Sequence, residues 1–310
     1  MTKVVVLHDN PEWIPPFARA FEAEGVELEP VLFDEFTLPL DAQAEPAIYW
    51  SRLSASAHTR GRPFAKDAAR SILSALEAQG QRVVNGSRVV ELEVSKVKQH
   101  ALLRAAGFDV PRTTAVVGKA GLSAAAREFP APFISKHNQG GKGLGVRRFE
   151  THEEFDAYVA GDEFEAPIDG ITLIQELLIG TAPFVTRAEF IGGRFAYAVR
   201  VDTSQGGFEL CPAEACAVPT GDEVPPPLFS LREEITAEYP LIQQLERFLA
   251  EAGVEIAGVE FIETIDGRVV PYDVNTNTNY SPDVEGSLPE SAATKVARFL
   301  QSLAPATVAV

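Results

Sequence analysis

The stretch Ala257–Asn275, which reads AGVEFIETIDGRVVPYDVN, decides the fold because it has the pattern of a β-hairpin. Its centre is Asp266-Gly267, a dipeptide that favours a two-residue turn between antiparallel strands. Such a turn places Glu260 directly opposite Asp273, and Asn275, two residues further on, points to the same face. We therefore expect two carboxylates and one amide on one face of the hairpin.

That polar face predicts a cation site. Directly opposed side chains of an antiparallel pair have Cβ atoms about 4.5–5.5 Å apart, so two carboxylates there repel each other. A divalent cation offsets the repulsion, and two carboxylates with an amide oxygen suit magnesium. The alternative is a solvated face on which the acids align by chance. The other face has the pattern of a core stripe, formed by Val259, Phe261, Val270, Tyr272 and Val274.

A glycine-rich segment, Gln139–Val146, follows a predicted strand at Phe133–Lys136. Glycines let backbone amides approach an anion, and the flanking lysines add positive charge, so the segment is typical of a loop that covers phosphates. A flexible hairpin is the alternative interpretation. The segment lacks the Lys-Ser/Thr ending of a Walker A motif, and no protein-kinase catalytic motif follows it.

An apolar strand at Leu173–Leu178 carries a Gln175-Glu176 pair. A buried strand does not accommodate a glutamate at low cost, because burial of a charge without a partner is unfavourable. Two interpretations stay open. The segment is either an edge strand with one exposed face, or an interdomain segment whose backbone contacts an adenine while Glu176 binds polar nucleotide atoms.

The chain is expected to form two or three subdomains of the α/β class, because one core rarely extends over 310 residues. Residues 1–94 alternate strand and helix patterns, which predicts a small parallel sheet with helices on both faces. The predicted strands are Lys3–Leu7, Val31–Phe33, Ala47–Trp50 and Arg82–Val84, and the predicted helices are Phe17–Gly25 and Asp67–Gly80.

Two further units are predicted at 95–170 and 171–310. The first begins with a helix from Ser95 to about Ala106 and carries the glycine-rich segment between two strands. A short helix follows, with a capping box at Thr151 and Glu154. The second unit has predicted strands at Leu173–Leu178, Thr186–Ile191 and Phe195–Val201, predicted helices at Thr236–Ala252 and Ser287–Leu303, and the hairpin.

Composition narrows the classes of partner. A formal net charge of −17 argues against a general nucleic-acid binder and against docking on anionic membrane, and no apolar run is long enough to span a bilayer. Cys211 and Cys216 are too few for a disulfide scaffold, so we expect reduced thiols in a cytoplasmic protein. The first residues have the pattern of a strand and not of a signal peptide.

Taken together, these segments resemble the ATP-grasp superfamily, in particular the branch of glutathione synthetases and RimK-like ribosomal-protein glutamate ligases. The resemblance runs from about Tyr49 to the C-terminus and implies an ATP-grasp fold, with two subdomains that grip ATP behind a small N-terminal domain. It also implies a cytoplasmic ligase that uses ATP and magnesium, with two ions expected and manganese as an alternative. The implied partners are a small acid and an amine, amino acid or peptide, and a homo-oligomer is left open.

The resemblance assigns roles to individual residues. Ser95-Lys96 is similar to the family's Asp-Lys segment, so Lys96 is implied to contact ATP phosphate. Lys136, on the strand before the glycine-rich segment, matches the family's second nucleotide lysine and is implied to do the same. Arg187 and Arg200 match arginines that face phosphate and the acyl-phosphate intermediate. The nucleotide set is completed by Gly141, Lys142, Gly143, Gln175, Glu176, Leu177 and Leu178, and the metal ligands by Glu260, Asp273 and Asn275.

Several departures from the family pattern concern the substrate. The family's metal ligands read Asp, Glu, Asn, whereas the two acids are exchanged here, and the usual Ser-Pro-Gly after the asparagine is replaced by Thr276–Pro282. In that segment Asn277 and Asn279 are candidate substrate contacts. Arg52 is a further candidate for a substrate carboxylate, with a salt-bridged structural arginine as the alternative.

The implied activity is carboxylate–amine ligation, in which ATP activates the acid as an acyl phosphate and the amine then attacks it. Two other classes stay open. A phosphotransferase would use the same ATP site but release a phosphorylated product, and a regulator would bind nucleotide without turnover.

Overall fold

The computed structural model describes residues 2–141, 143, 145–204 and 228–304. Over these residues the chain forms three sheets, of which one is parallel and two are antiparallel. The α/β class predicted from the sequence is therefore confirmed. The cysteines, Lys142 and Leu144 lie outside the described residues. No helix in the described part is long and apolar enough to cross a membrane.

The N-terminal unit is the predicted small parallel sheet, with strand order β2-β1-β3-β4. Strand β2 (Glu27–Leu32) begins four residues before the predicted strand at Val31–Phe33, and it is an edge strand with little burial, although Phe33 just after it is buried. The sequence analysis also did not find helix α3, which is only seven residues long. The elements in chain order are β1 (Lys3–His8), α1 (Pro15–Ala23), β2 (Glu27–Leu32), β3 (Ile48–Arg52), α2 (Ala65–Ala78), β4 (Arg82–Val84) and α3 (Ser87–Glu93).

The central unit has a four-stranded antiparallel sheet with order β5-β8-β6-β7. Thr151 caps helix α6 by accepting a hydrogen bond from the Glu154 N–H at 3.1 Å, as the capping box predicts. The elements from the linking helix onward are α4 (Lys96–Ala105), β5 (Thr113–Val117), α5 (Leu122–Ala126), β6 (Phe133–His137), β7 (Arg147–Phe149), α6 (His152–Ala160) and β8 (Ile171–Glu176).

Strand β8 corrects the subdomain boundary expected at 170/171. It pairs with β5 on one side and β6 on the other, so it lies inside the central sheet and is not an edge strand. The partner β5 (Thr113–Val117) is rich in β-branched residues but lacks an alternation of apolar and polar side chains, and it was not predicted. The change of sheet therefore comes after Glu176.

The C-terminal unit is a five-stranded antiparallel sheet with order β11-β10-β9-β12-β13. Its elements are β9 (Phe184–Ile191), β10 (Arg194–Asp202), β11 (Phe229–Leu231), α7 (Pro240–Ala252), β12 (Ile256–Glu263), β13 (Val269–Asn275), α8 (Pro282–Glu285) and α9 (Ala292–Ser302). The last predicted helix, Ser287–Leu303, thus begins later than expected. Strand β11 was not predicted.

Each face of the C-terminal sheet packs against a different layer. One face buries Ala188, Phe190 and Phe261 against α4 and α7. The other shares a core with the N-terminal unit, in which Val199 and Val201 lie in one cluster with residues of β1, β3, α1 and α9. This second face carries Arg187, Glu260 and Asp273, so the N-terminal unit packs around the candidate site.

Candidate active site

The hairpin brings its two acids together as the sequence predicts. Glu260 on β12 lies directly opposite Asp273 on β13. The turn itself differs from the predicted two-residue loop, because the Thr264 N–H donates to the Arg268 carbonyl at 2.9 Å and encloses three residues. Gly267 ends this turn at φ +85°, a conformation that favours glycine. A β-bulge after Glu260 shifts the register back, so the prediction of the acid pair was right although the turn was wrong.

The bulge also changes the direction of Tyr272, which the sequence analysis placed in the core stripe. Its hydroxyl donates to Glu260 Oε2 at 2.9 Å, so the side chain faces the acids. The rest of the predicted stripe is confirmed as core by the burial of Val259, Phe261, Val270 and Val274. One extra residue in a strand reverses the face of the next side chain, and the sequence pattern alone did not reveal it.

Lys96 is an ion-pair partner of the acids. Its Nζ lies 2.6 Å from Asp273 Oδ1. Helix α4 is held beside β13 by Gln99, whose amide donates to the Val274 carbonyl at 2.9 Å and accepts from the Val274 N–H at 3.0 Å. Burial alone would lower the pKa of Lys96, but Asp273 beside it raises this pKa above its usual value.

Lys136 lies on β6 and faces the same cavity from the central sheet. It is buried, with 7% of its surface exposed. Burial, together with the positive charge of Lys96, lowers the pKa of Lys136 to about 7. A lysine with this pKa is poised to take up a proton when an anion enters.

We predict that ATP binding at pH 8 takes up close to one proton at Lys136. In the free protein the amine is mostly neutral above pH 7, and a nearby phosphate raises its pKa. Below pH 6 the amine is already charged, so the uptake disappears. Calorimetric titration with ATP in buffers of different ionisation enthalpy measures the uptake. Lys136→Met should abolish it, whereas Lys98→Met, at an exposed lysine, should not; equal uptake in both variants contradicts the assignment.

Arg187 is the third cation at the site. It lies directly opposite Glu260 in the register of β9 and β12, and its Nη1 is 4.0 Å from Glu260 Oε1. Burial raises the pKa of Glu260, and the opposed Asp273 raises it further, while Arg187 acts in the other direction. Burial would lower the pKa of Arg187, but Glu189 and Glu260 raise it above its usual value.

Arg200 is not brought to this group. It is opposite Thr186, and Arg187 is opposite Val199, so the two arginines point to different faces of the sheet. The Arg200 side chain lies 3.5 Å from Asp202 and packs over the Phe184 ring at 4.5 Å. Val201, one residue on, is the β10 residue that lines the cavity. In this structure Arg200 therefore does not lie with Arg187 and the acids, in contrast to the position that the resemblance implies.

A cavity of about 1040 Å³ connects the acids with the central sheet. The segment Gln175–Leu178, which we call the hinge because it connects the central and C-terminal sheets, contributes Gln175, Leu177 and Leu178 to the cavity wall. Glu176 is instead engaged elsewhere, because its Oε1 accepts from the Arg112 N–H at 2.9 Å and from Arg268 Nη1 at 3.0 Å. This ion pair and hydrogen bond explain how the strand accommodates a glutamate.

The glycine-rich segment lies over the cavity. Gly140, Gly141 and Gly143 line it, and Gly143 has φ +75°, which a side-chain-bearing residue rarely adopts. Gly141 approaches the N-terminal unit, where a Cβ added to it would lie 3.5 Å from Ser56 Oγ. The described glycines of the segment and the acids therefore line the same cavity, an arrangement typical of a phosphate-covering loop.

Asn275 and the two asparagines after it differ in their contacts. Asn275 Nδ2 and both polar atoms of the Asn277 amide are buried without a hydrogen-bond partner among the described residues, and both side chains line the cavity. Asn279 also lines the cavity, but its Oδ1 accepts from Arg52 Nη2 at 2.7 Å. Asn277 is therefore the asparagine of Thr276–Pro282 that is best placed to contact a ligand.

Arg52 is a structural arginine. It is 1% exposed, and its guanidinium donates to the Thr278 carbonyl at 2.8 Å and to the Trp13 carbonyl at 3.2 Å. It does not line the cavity, so the candidate role in substrate binding is not supported by its position. Burial lowers the pKa of Arg52 to about 10, so the side chain stays charged near neutral pH.

We predict that Arg52→Leu lowers the free energy of unfolding by about 3 kcal/mol, because it leaves the buried Thr278 carbonyl and the half-buried Trp13 carbonyl without a charged donor. Urea unfolding measures the change. Arg88→Leu, at an exposed arginine in the same unit, is the matched control and should shift stability by less than about 0.5 kcal/mol. A loss below about 1 kcal/mol for Arg52→Leu would contradict the structural role.

The metal ligands predicted from the sequence include only two acids. Within residues 2–141, 143, 145–204 and 228–304, no group of three or more His, Cys, Asp or Glu side chains is arranged to hold a metal.

Two residues of the site, Glu189 and Thr278, were not predicted from the sequence, and both contact Arg187. The signal that could have found Glu189 is a glutamate in an apolar strand, two residues after a candidate arginine.

Comparisons with known proteins identify the fold. No family model matches the chain, and no curated protein matches it. Among solved structures, a RimK domain ATP-grasp protein from Sphaerobacter thermophilus has a TM-score of 0.67 and 21% identity, over 97% of this chain and 100% of that one. The ATP-grasp ligase PsnB, crystallised with a minimal precursor, Mg and ADP, gives 0.65 and 20%, over 97% and 96%.

The D-Ala:D-Ser ligase VanG from Enterococcus faecalis gives a TM-score of 0.65 and 16% identity, over 97% of this chain and 99% of that one. These likenesses extend over nearly the whole chain and not only over the hairpin. The chain therefore has the ATP-grasp fold, and its solved neighbours include ligases.

Proposed function

We propose that the protein is an ATP-dependent ligase that joins a carboxylic acid to an amine through an acyl phosphate. The observation that carries the proposal is the convergence of three cations and an acid pair on one cavity. Lys96, Lys136 and Arg187 meet Glu260 and Asp273 there, beneath a glycine-rich loop. Such a group is suited to phosphoryl transfer, in which positioning and charge stabilisation do most of the catalytic work.

The nucleotide would lie between the hinge and the acids. Gln175, Leu177 and Leu178 offer an apolar wall with one amide for the adenine. The phosphates would then extend toward Lys136 and Lys96, and both amines would be charged in their presence. Gly140–Gly145 would cover the phosphates and limit the access of water to the acyl phosphate.

The acid pair fits a magnesium ion. Two carboxylates that face each other at low exposure need positive charge nearby, and in this structure Lys96 and Arg187 supply it. Glu260, Asp273 and the Asn275 amide oxygen would hold the metal, which supplies charge neutralisation at the ATP phosphates. The solved PsnB complex contains Mg and ADP in the same fold, which supports the proposal.

The reaction would proceed in two steps. An oxygen of the substrate carboxylate attacks the γ-phosphorus, and the bond to ADP breaks. The amine nitrogen then attacks the carbonyl carbon of the acyl phosphate, inorganic phosphate leaves, and the nitrogen loses a proton. Arg187 lines the same cavity and would stabilise negative charge on the reacting carboxyl group.

Measurement of ADP release against pooled amino acids, dipeptides and other small acids tests the proposal. We expect release that requires magnesium and one acid, and that rises further with an amine. ADP release with a phosphorylated product that persists in the presence of amines would favour a phosphotransferase. Nucleotide binding without release in any pool would favour a regulator.

A further inference from the structure

We propose that Glu189 is a positioning residue, which together with Thr278 and Gly258 fixes the Arg187 guanidinium so that Nη1 points to Glu260. The importance of this arrangement for catalysis rests on the proposed function. The rigid arrangement of these side chains does not depend on the proposed function, and it can be measured without any substrate.

Three contacts form a closed ring around Arg187. Its Nε is 2.8 Å from Glu189 Oε1, and its Nη2 donates to Thr278 Oγ1. The Thr278 hydroxyl in turn donates to Glu189 Oε2 at 2.9 Å. Arg187 Nη2 and Glu189 Oε2 are thus hydrogen-bonded through Thr278, whereas Nε lies beside Glu189 Oε1 as an ion pair and has no hydrogen-bond partner among the described residues. Nη1 remains, and it is the nitrogen nearest to Glu260, at 4.0 Å.

Gly258 provides the space for this geometry. It lies opposite Glu189 in the register of β9 and β12, directly beneath the guanidinium. A Cβ added at Gly258 would lie 2.5 Å from Arg187 Nε and 3.0 Å from Cζ, closer than such atoms pack. Any larger residue would therefore push the guanidinium away from its position.

The environment makes the arrangement stiff. Glu189 is 3% exposed and has Arg187 as its ion-pair partner, so separation of the pair would leave a buried charge uncompensated. Burial raises the pKa of Glu189, while Arg187 and Thr278 favour its charged form. Thr278 lies in the segment Thr276–Pro282, which follows the proposed metal ligands. Its carbonyl accepts a hydrogen bond from Arg52 Nη2 at 2.8 Å. The ring thus links β9 to this segment.

The positioning role predicts a non-additive effect on turnover. Glu189→Gln keeps the size of the side chain and should lower kcat by about 10- to 100-fold, as removal of a supporting partner commonly does. The KM for ATP should change little. In an Arg187→Met background the same substitution should cause no further loss of kcat, because it acts through the arginine. The rate of ADP release with the acid found in the pooled screen gives kcat for the unmodified protein, the two single variants and the double variant.

Thr278→Ser and Thr278→Val form a conservative pair. The serine keeps the hydroxyl and should retain activity, whereas the valine removes it and should resemble Glu189→Gln. Glu246→Gln is the matched control, because Glu246 pairs with Arg194 at the surface, at 3.2 Å. Multiplicative losses from Arg187→Met and Glu189→Gln would show a separate structural role and overturn the inference.

A second readout needs no substrate. Nitrogen-15 labelled arginine should give an Nε–H signal for Arg187 that exchanges slowly, identified by its loss in Arg187→Met. We expect Glu189→Gln and Gly258→Ala to shift this signal and speed its exchange, and Thr278→Ser to leave it in place. An unchanged signal in Glu189→Gln overturns the inference. If no acid supports ADP release but the signal responds as expected, the proposed function fails and the positioning stands.

Discussion

Asp273→Asn is expected to lower turnover by about 10²- to 10³-fold while the fold is retained. The substitution keeps the size of the side chain but removes the charge that we propose binds the metal and that pairs with Lys96 at 2.6 Å. Losses of this size follow the removal of one strong electrostatic contact to the transition state. Magnesium-dependent ADP release measures the change, and manganese titration followed by electron paramagnetic resonance measures the metal affinity.

Asp266→Asn is the matched control for this prediction, because Asp266 lies in the turn of the same hairpin and is exposed. It should bind manganese and turn over as the unmodified protein does. We expect Asp273→Asn to be slightly less stable than the parent, since Lys96 then loses its ion-pair partner while Lys136 still lies nearby. Normal turnover and manganese affinity in Asp273→Asn would remove the metal assignment.

Arg187→Met is expected to lower kcat by about 10³-fold, because in the proposed mechanism the arginine stabilises charge that develops on the acid and the transferred phosphoryl group. Arg200→Met, at the arginine on the opposite face of the sheet, should change kcat by less than about threefold. The contrast tests the face assignment, since both residues matched family arginines by sequence. Equal losses in the two variants would contradict it.

Stability separates a chemical effect from unfolding in Arg187→Met. Removal of the arginine leaves Glu189 buried without its partner, so we expect a loss of about 3–5 kcal/mol in the free energy of unfolding. The double variant Arg187→Met/Glu189→Gln should recover much of that loss and none of the activity. Recovery of activity together with stability would show that the arginine acts only in the fold.

The acid pair could be predicted from the sequence because a hairpin fixes opposed residues by local rules. Glu260 and Asp273 are separated by a short, strongly patterned segment, and a dipeptide turn signal lies between them. The prediction survived an incorrect turn length because a bulge compensated for it. The bulge itself, and the reversal of Tyr272, depend on packing that the local pattern does not encode.

Residues that act across sheets were harder to predict. The position of Arg200 depends on the register of β9 against β10, and a one-residue difference decides which face an arginine occupies. Arg52 was a candidate contact for a substrate carboxylate because the sequence does not show that the carbonyls of Trp13 and Thr278, distant in the chain, accept its hydrogen bonds. The pairing of β8 with β5 likewise depends on a long-range contact that a single strand pattern cannot specify.

The most direct test of the central claim is to trap the activated acid. Hydroxylamine should convert an acyl phosphate into a hydroxamate when ATP, magnesium and the correct acid are present, without any need for the natural amine. We predict hydroxamate with at least one pool of acids and none with Asp273→Asn. If the protein binds ATP with magnesium but no acid yields hydroxamate or acid-dependent ADP release, the acyl-phosphate mechanism is contradicted.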